Sequence, residues 1–68
     1  MNEETFNLSI RKFLKVVGVS SQREIEQAVG KAVESGTIAG VECFPATMTL
    51  RIPGLQLEVS FEGEVRLQ

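Results

Sequence analysis

Residues 17–29 read VGVSSQREIEQAV, and where the chain bends within them decides the architecture. Gly18 suits the left-handed C′ position that ends a helix, because it has no Cβ to clash there. Ser21 followed by Glu24 has the spacing of a capping box, in which the serine oxygen and the glutamate each satisfy an orphan backbone N–H. On this reading one helix closes at Val17, a short turn occupies Gly18–Ser20, and a second helix opens at Ser21.

The flanking sequence fits that division. Phe6, Ile10, Phe13, Leu14 and Val17 recur at helical spacing, so a first helix is predicted from Glu3 or Thr5 to Val17. Asn2 can cap its start, Glu3 and Glu4 sit at its positive end, and Arg11, Lys12 and Lys15 sit toward its negative end. Ile25, Ala28, Val29, Ala32 and Val33 give the second helix its own apolar stripe, with Gly36 as the stop. Gly30 inside it costs about 1 kcal/mol relative to alanine.

After Gly36 the hydrophobic period changes from 3.6 to 2. Ala46, Met48, Leu50 and Ile52 alternate with polar residues, and so do Leu55, Leu57, Val59 and Phe61 beyond Pro53-Gly54. This predicts a β-hairpin. Setting Ile52 opposite Leu55 pairs Leu50 with Leu57, Met48 with Val59, Ala46 with Phe61 and Phe44 with Gly63. All the apolar side chains then share one face. Pro45 lacks an N–H, so a bulge or strand end is expected there. Ile38–Cys43 reads either as loop or as an extension of the first strand.

Composition bounds the chemistry. The 68 residues form one domain, and a core of that size supplies only about 3–5 kcal/mol. Self-association is therefore expected. There is no His, Asp, Tyr or Trp, and Cys43 is the one cysteine, so neither an internal disulfide nor a Cys/His zinc site can be built. No apolar run approaches the roughly 18 residues that cross a bilayer. The opening MNEETFN lacks the basic and apolar regions of a secretory signal, and a cytoplasmic location is expected.

A helix-turn-helix followed by a hairpin is also the element order of a winged-helix domain. Ser21, Gln22, Arg23, Glu26 and Gln27 would then face the groove. Nucleic-acid binders draw much of their affinity from neutralised phosphates, yet the net charge here is −2 and Glu24 and Glu26 flank Arg23 closely. Electrostatics thus favours a protein partner over a nucleic acid. On the first helix Leu8 and Val16 stand with Arg11, Lys12 and Lys15 away from the apolar stripe. These five form the candidate interaction surface, although charged groups on a helix usually mark only its solvated face. Cys43 has no histidine to act as its base, and Glu42 beside it opposes a thiolate, so it reads as a partly buried small hydrophobe. Glu62 and Glu64 read as solvated charges on the polar strand face. Open hairpin edges could accept a strand from a second copy or another protein.

The segments Thr5-Phe6-Asn7, Arg11-Lys12-Phe13-Leu14-Lys15 and Ser21-Gln22-Arg23-Glu24-Ile25-Glu26, with the later ATMTLRIPGLQLEVSFEGEVRL, carry a resemblance. Over nearly its whole length the chain resembles a family of short bacterial proteins classed as a domain of unknown function. The resemblance implies a stand-alone bacterial cytosolic domain and supplies no catalytic or binding residues. Together these readings predict one α+β domain over residues 1–68. It is a two-layer ααββ arrangement with both helices on one face of the hairpin. Its expected role is non-enzymatic protein contact, with a homodimer through a sheet edge or the exposed apolar helix positions, and with no cofactor, metal or membrane.

Overall fold

The computed structural model describes residues 1–68 and shows a helix followed by a two-stranded antiparallel sheet, an α+β arrangement. The chain divides into two compact units, Met1–Thr37 and Ile38–Gln68.

The first unit is one helix, α1, over Glu3–Glu34. This corrects the division into two helices: the chain runs through Gly18 and Ser21 without a turn. Gly18 is not among the residues with positive φ, so it holds ordinary helical backbone rather than a left-handed stop. Ser21 lies in mid-helix, where the preceding turn already supplies a carbonyl partner for each backbone N–H, so no capping box is needed. The two apolar stripes explain the continuity. Val17, Ser21 and Ile25 follow one another at i+4, so the second stripe prolongs the first on the same face. A bend at Gly18 would interrupt that row.

Both ends of α1 behave as their residues dictate. The Asn2 side chain accepts from the Thr5 N–H at 3.0 Å, and Glu3 and Glu4 occupy the first turn. At the other end Gly36, at φ 77°, donates to the Val33 carbonyl, and Thr37 donates to that of Ala32. These two bonds make a Schellman motif, and the left-handed backbone it needs is the reason glycine stands at 36.

The second unit is a hairpin of β1, Cys43–Ile52, and β2, Leu57–Arg66. Its register differs from the expected one by two residues. Ile52 pairs with Leu57, Leu50 with Val59, Met48 with Phe61, Ala46 with Gly63 and Phe44 with Val65. The cause is Pro53. A two-residue hairpin turn of type I′ or II′ requires positive φ at its first central residue, and proline cannot adopt it. The strands are instead joined by four residues, a 3-10 turn over Pro53–Leu55 followed by Gln56 in the left-handed region at φ 52°. Since side chains alternate with period 2, the two-residue shift leaves the apolar side chains of both strands on their expected face; Leu55, expected opposite Ile52, lies instead in the 3-10 turn, 71% exposed.

Pro45 causes neither a bulge nor a strand end; pairing runs unbroken from Cys43 to Ile52. The Leu67 N–H donates to the Glu42 carbonyl at 2.9 Å, so 42 and 67 form a hydrogen-bonded pair. Bonded and non-bonded pairs alternate in an antiparallel ladder. Position 45 is therefore non-bonded, and the N–H that proline lacks would have pointed away from β2. Residues 38–42 lie outside the strands. Neither the helix nor the hairpin buries a side chain within itself.

Candidate interaction surfaces

One face of α1 carries Phe6, Ile10, Phe13, Leu14, Val17, Ser21, Ile25, Ala28 and Ala32, with Glu24 and Lys31 on the same arc. Phe6 and Phe13 are 48% and 52% exposed, while Val17, Ser21 and Ala32 are half-buried by their neighbours along the helix. Leu8, Lys12, Lys15, Val19, Arg23 and Glu26 recur at similar spacing on the opposite face. The five residues proposed from sequence thus share one helix, and Leu8 and Val16 are both open to solvent. Val19 belongs to this group as well, although Gly18 read as a helix stop would put it in a turn. Its spacing from Leu8, Lys12 and Lys15 is the signal that includes it.

Ser21, Gln22, Arg23 and Gln27 lie in the middle of α1 rather than at the start of a second helix. The Gln22 side-chain amide donates to the Glu26 carboxylate at 3.5 Å, a contact along the helix.

On the hairpin the alternation is complete. One face holds the five apolar pairs from Phe44–Val65 to Ile52–Leu57, with Gly63 beside Ala46. The other face holds Cys43–Arg66, Pro45–Glu64, Thr47–Glu62, Thr49–Ser60 and Arg51–Glu58. Non-bonded pairs bring their side chains closest. Accordingly the Thr49 and Ser60 hydroxyls meet at 3.0 Å, and the Arg51 Nε donates to the Glu58 Oε1 at 2.9 Å. This is the one ion pair in the chain, and it is solvent-exposed. Such a pair contributes about 0–1 kcal/mol.

Cys43 is exposed rather than partly buried, opposite Arg66 on the polar face. Glu42 does not turn toward it. The Glu42 carboxylate accepts from the backbone N–H groups of Ala39, Gly40 and Val41 at 2.8, 2.9 and 3.0 Å. These bonds, the one from Ala39 first, hold its pKa below the ordinary carboxylate value, although desolvation opposes them. Gly40, at φ 96°, supplies the backbone turn that points these donors inward. No three acidic or cysteine side chains come together in a group that could hold a metal ion, and no helix is long and apolar enough to cross a membrane.

The hairpin edges are unequal to the faces as places for self-pairing. A strand added along β1 would meet Pro45, which has no N–H to give. A second β2 laid along β2 would bring together two sets of Glu58, Glu62 and Glu64, against one Arg66 in each. The faces carry no such penalty.

No match was found among curated proteins, and none among solved structures. Over residues 1–68 the sequence matches a family of unknown function, DUF6494, and the chain belongs to that family.

Proposed function

We propose that this chain is a non-enzymatic protein-interaction module that works as an assembly of copies, its apolar helix stripe and apolar sheet face buried in the contacts between them. The apolar face that each unit leaves uncovered by its own residues carries this reading: Phe6 and Phe13 on α1 are 48% and 52% exposed, and Met48 and Phe61 on the hairpin 46% and 58%. An isolated hairpin is marginally stable in water, and Gly18, Gly30 and five valines weaken a lone α1. Burial against a partner offsets both deficits.

The net charge of −2 supports protein rather than nucleic acid as the partner. The absence of histidine and aspartate supports binding rather than catalysis, and the family resemblance supports a bacterial cytosolic setting. Sedimentation equilibrium of the full chain at micromolar concentration tests the reading. A mass of at least twice 7.5 kDa is expected. A monomer at about 100 μM with well-protected helix amides would overturn it.

A further inference from the structure

Beyond the contacts between copies, we propose that the open edge of β2 takes a third, antiparallel strand from a different protein, an extended segment in which one aromatic residue stands between two basic ones. The backbone supplies the template. The bonded pair 42–67 fixes the phase of the ladder, so Leu57, Val59, Phe61, Gly63 and Val65 bond to β1. The N–H and C=O groups of Glu58, Ser60, Glu62, Glu64 and Arg66 therefore point away from β1. The sheet has only two strands, and these groups have no partner within the hairpin. All five residues are exposed, and each has an N–H to give. The outer edge of β1 is interrupted at Pro45, whose missing N–H falls on that side. Of the two edges, β2 is the complete one.

The side chains then select the occupant. Glu62 and Glu64 stand opposite Thr47 and Pro45, so neither meets a cation across the hairpin, and the one ion pair uses Glu58. Between them, on the apolar face, Gly63 stands opposite Ala46, and a Cβ added at 63 would have nothing within 4 Å. In an antiparallel third strand, the residues opposite Glu62 and Glu64 form bonded pairs with them. The residue opposite Gly63 falls in the non-bonded pair between, where side chains approach most closely. Basic side chains at the two outer positions complement the glutamates. An aromatic ring at the middle position covers the bare glycine, as cross-strand aromatics do at edge glycines. The apolar and polar faces of the hairpin then continue into the new strand. A second copy has no such segment to offer. Neither of its strands sets an aromatic between two basic residues, and Lys12-Phe13 lies in α1 with Leu14 on its far side. A second β2 would bring glutamates to glutamates.

Hydrogen exchange on the full-length chain tests this, with the peptide Thr-Val-Lys-Phe-Lys-Val-Thr as the probe at about 1 mM. Exchange at Ser60, Glu62 and Glu64 should slow at least about threefold, while Val59, Phe61 and Gly63, already bonded to β1, should change little. Replacing both lysines of the peptide by glutamate should weaken binding about tenfold, a comparison that needs no variant of the protein. Glu62→Lys combined with Glu64→Lys should reverse that preference. Equal binding of the two peptides, no binding of the lysine peptide, or protection of Thr47, Thr49 and Arg51 instead overturns the proposal. So does protection of Ser60, Glu62 and Glu64 that grows with chain concentration in the absence of peptide, which would put a second copy on this edge. Molecular mass is read separately. A dimer that ignores the peptide loses this site and keeps the assembly of copies, and a monomer that takes the peptide does the opposite.

Discussion

Met48 and Phe61 stand directly opposite one another on the two strands, and both lie open, at 46% and 58% exposure. They occupy the middle of a face whose every pair is apolar apart from the Gly63 backbone. A sulfur-bearing chain beside an aromatic ring makes a favourable contact, but two such residues in water leave most of the hydrophobic gain unrealised. The face is built for burial that the hairpin by itself does not provide.

Phe61→Ala measures that burial. Truncating a buried phenylalanine costs about 3–5 kcal/mol, whereas a substitution on a solvated surface stays within about 0.5 kcal/mol. We expect a loss near the first figure in denaturant unfolding at fixed micromolar concentration. A change within the second would mean that the sheet face remains in water.

Two glycines of the first unit should respond in opposite directions. Gly18 has helical backbone and nothing within 4 Å of an added Cβ, so Gly18→Ala should stabilise by about 0.5–1 kcal/mol. Gly36 holds φ 77° in the Schellman motif, so Gly36→Ala should destabilise by about 1–2 kcal/mol. Thermal unfolding followed at the helical circular-dichroism band reads both. If Gly18→Ala were the destabilising change, Gly18 would be the stop of a shorter helix.

This contrast shows how much was legible beforehand. Asn2 as cap, Gly36 as stop, the change of period after it and the apolar faces of both strands follow from local chemistry, and all are present. Gly18 and the Ser21–Glu24 spacing suggest a break in the helix, and the phase of the stripe outweighs both. A lone glycine costs about 1 kcal/mol in a helix, less than a continuous apolar row gains by staying in line. The register error had a similar origin: Pro53-Gly54 looked like a tight turn, but proline's fixed φ excludes the turn types that two-residue hairpins use. The basic and apolar positions of the candidate surface were legible because helical spacing alone places them. Exposure was not, since periodicity says which residues share a face and nothing about what covers it.

The Glu42 cradle should respond to acid. Its carboxylate has a pKa below the ordinary value because backbone N–H groups, Ala39's first, favour the charged form. A depressed folded-state pKa contributes stability above the unfolded-state value, and that contribution is lost as pH falls through the folded-state value. The Ala39 and Gly40 amide resonances should therefore titrate with a midpoint below that of an ordinary glutamate. Glu42→Gln should remove that titration. A midpoint at or above the ordinary value would show that the cradle is not formed in solution.

The Arg51–Glu58 pair should matter little. Both side chains are about two-thirds exposed, at 65% and 64%, so Glu58→Gln should change unfolding free energy by less than about 1 kcal/mol. The difference should shrink further in 1 M salt, where screening is nearly complete. A larger, salt-insensitive loss would place this polar face inside a contact.

The central claim is that burial between copies holds the chain folded, and the most direct measurement is the unfolding midpoint as a function of chain concentration. An assembly that dissociates as it unfolds has a Tm that rises with concentration. The account predicts a clear rise over a hundredfold range, with loss of helical signal at the dilute end. A midpoint that stays constant across that range, with the helix intact at the lowest concentration, would contradict it.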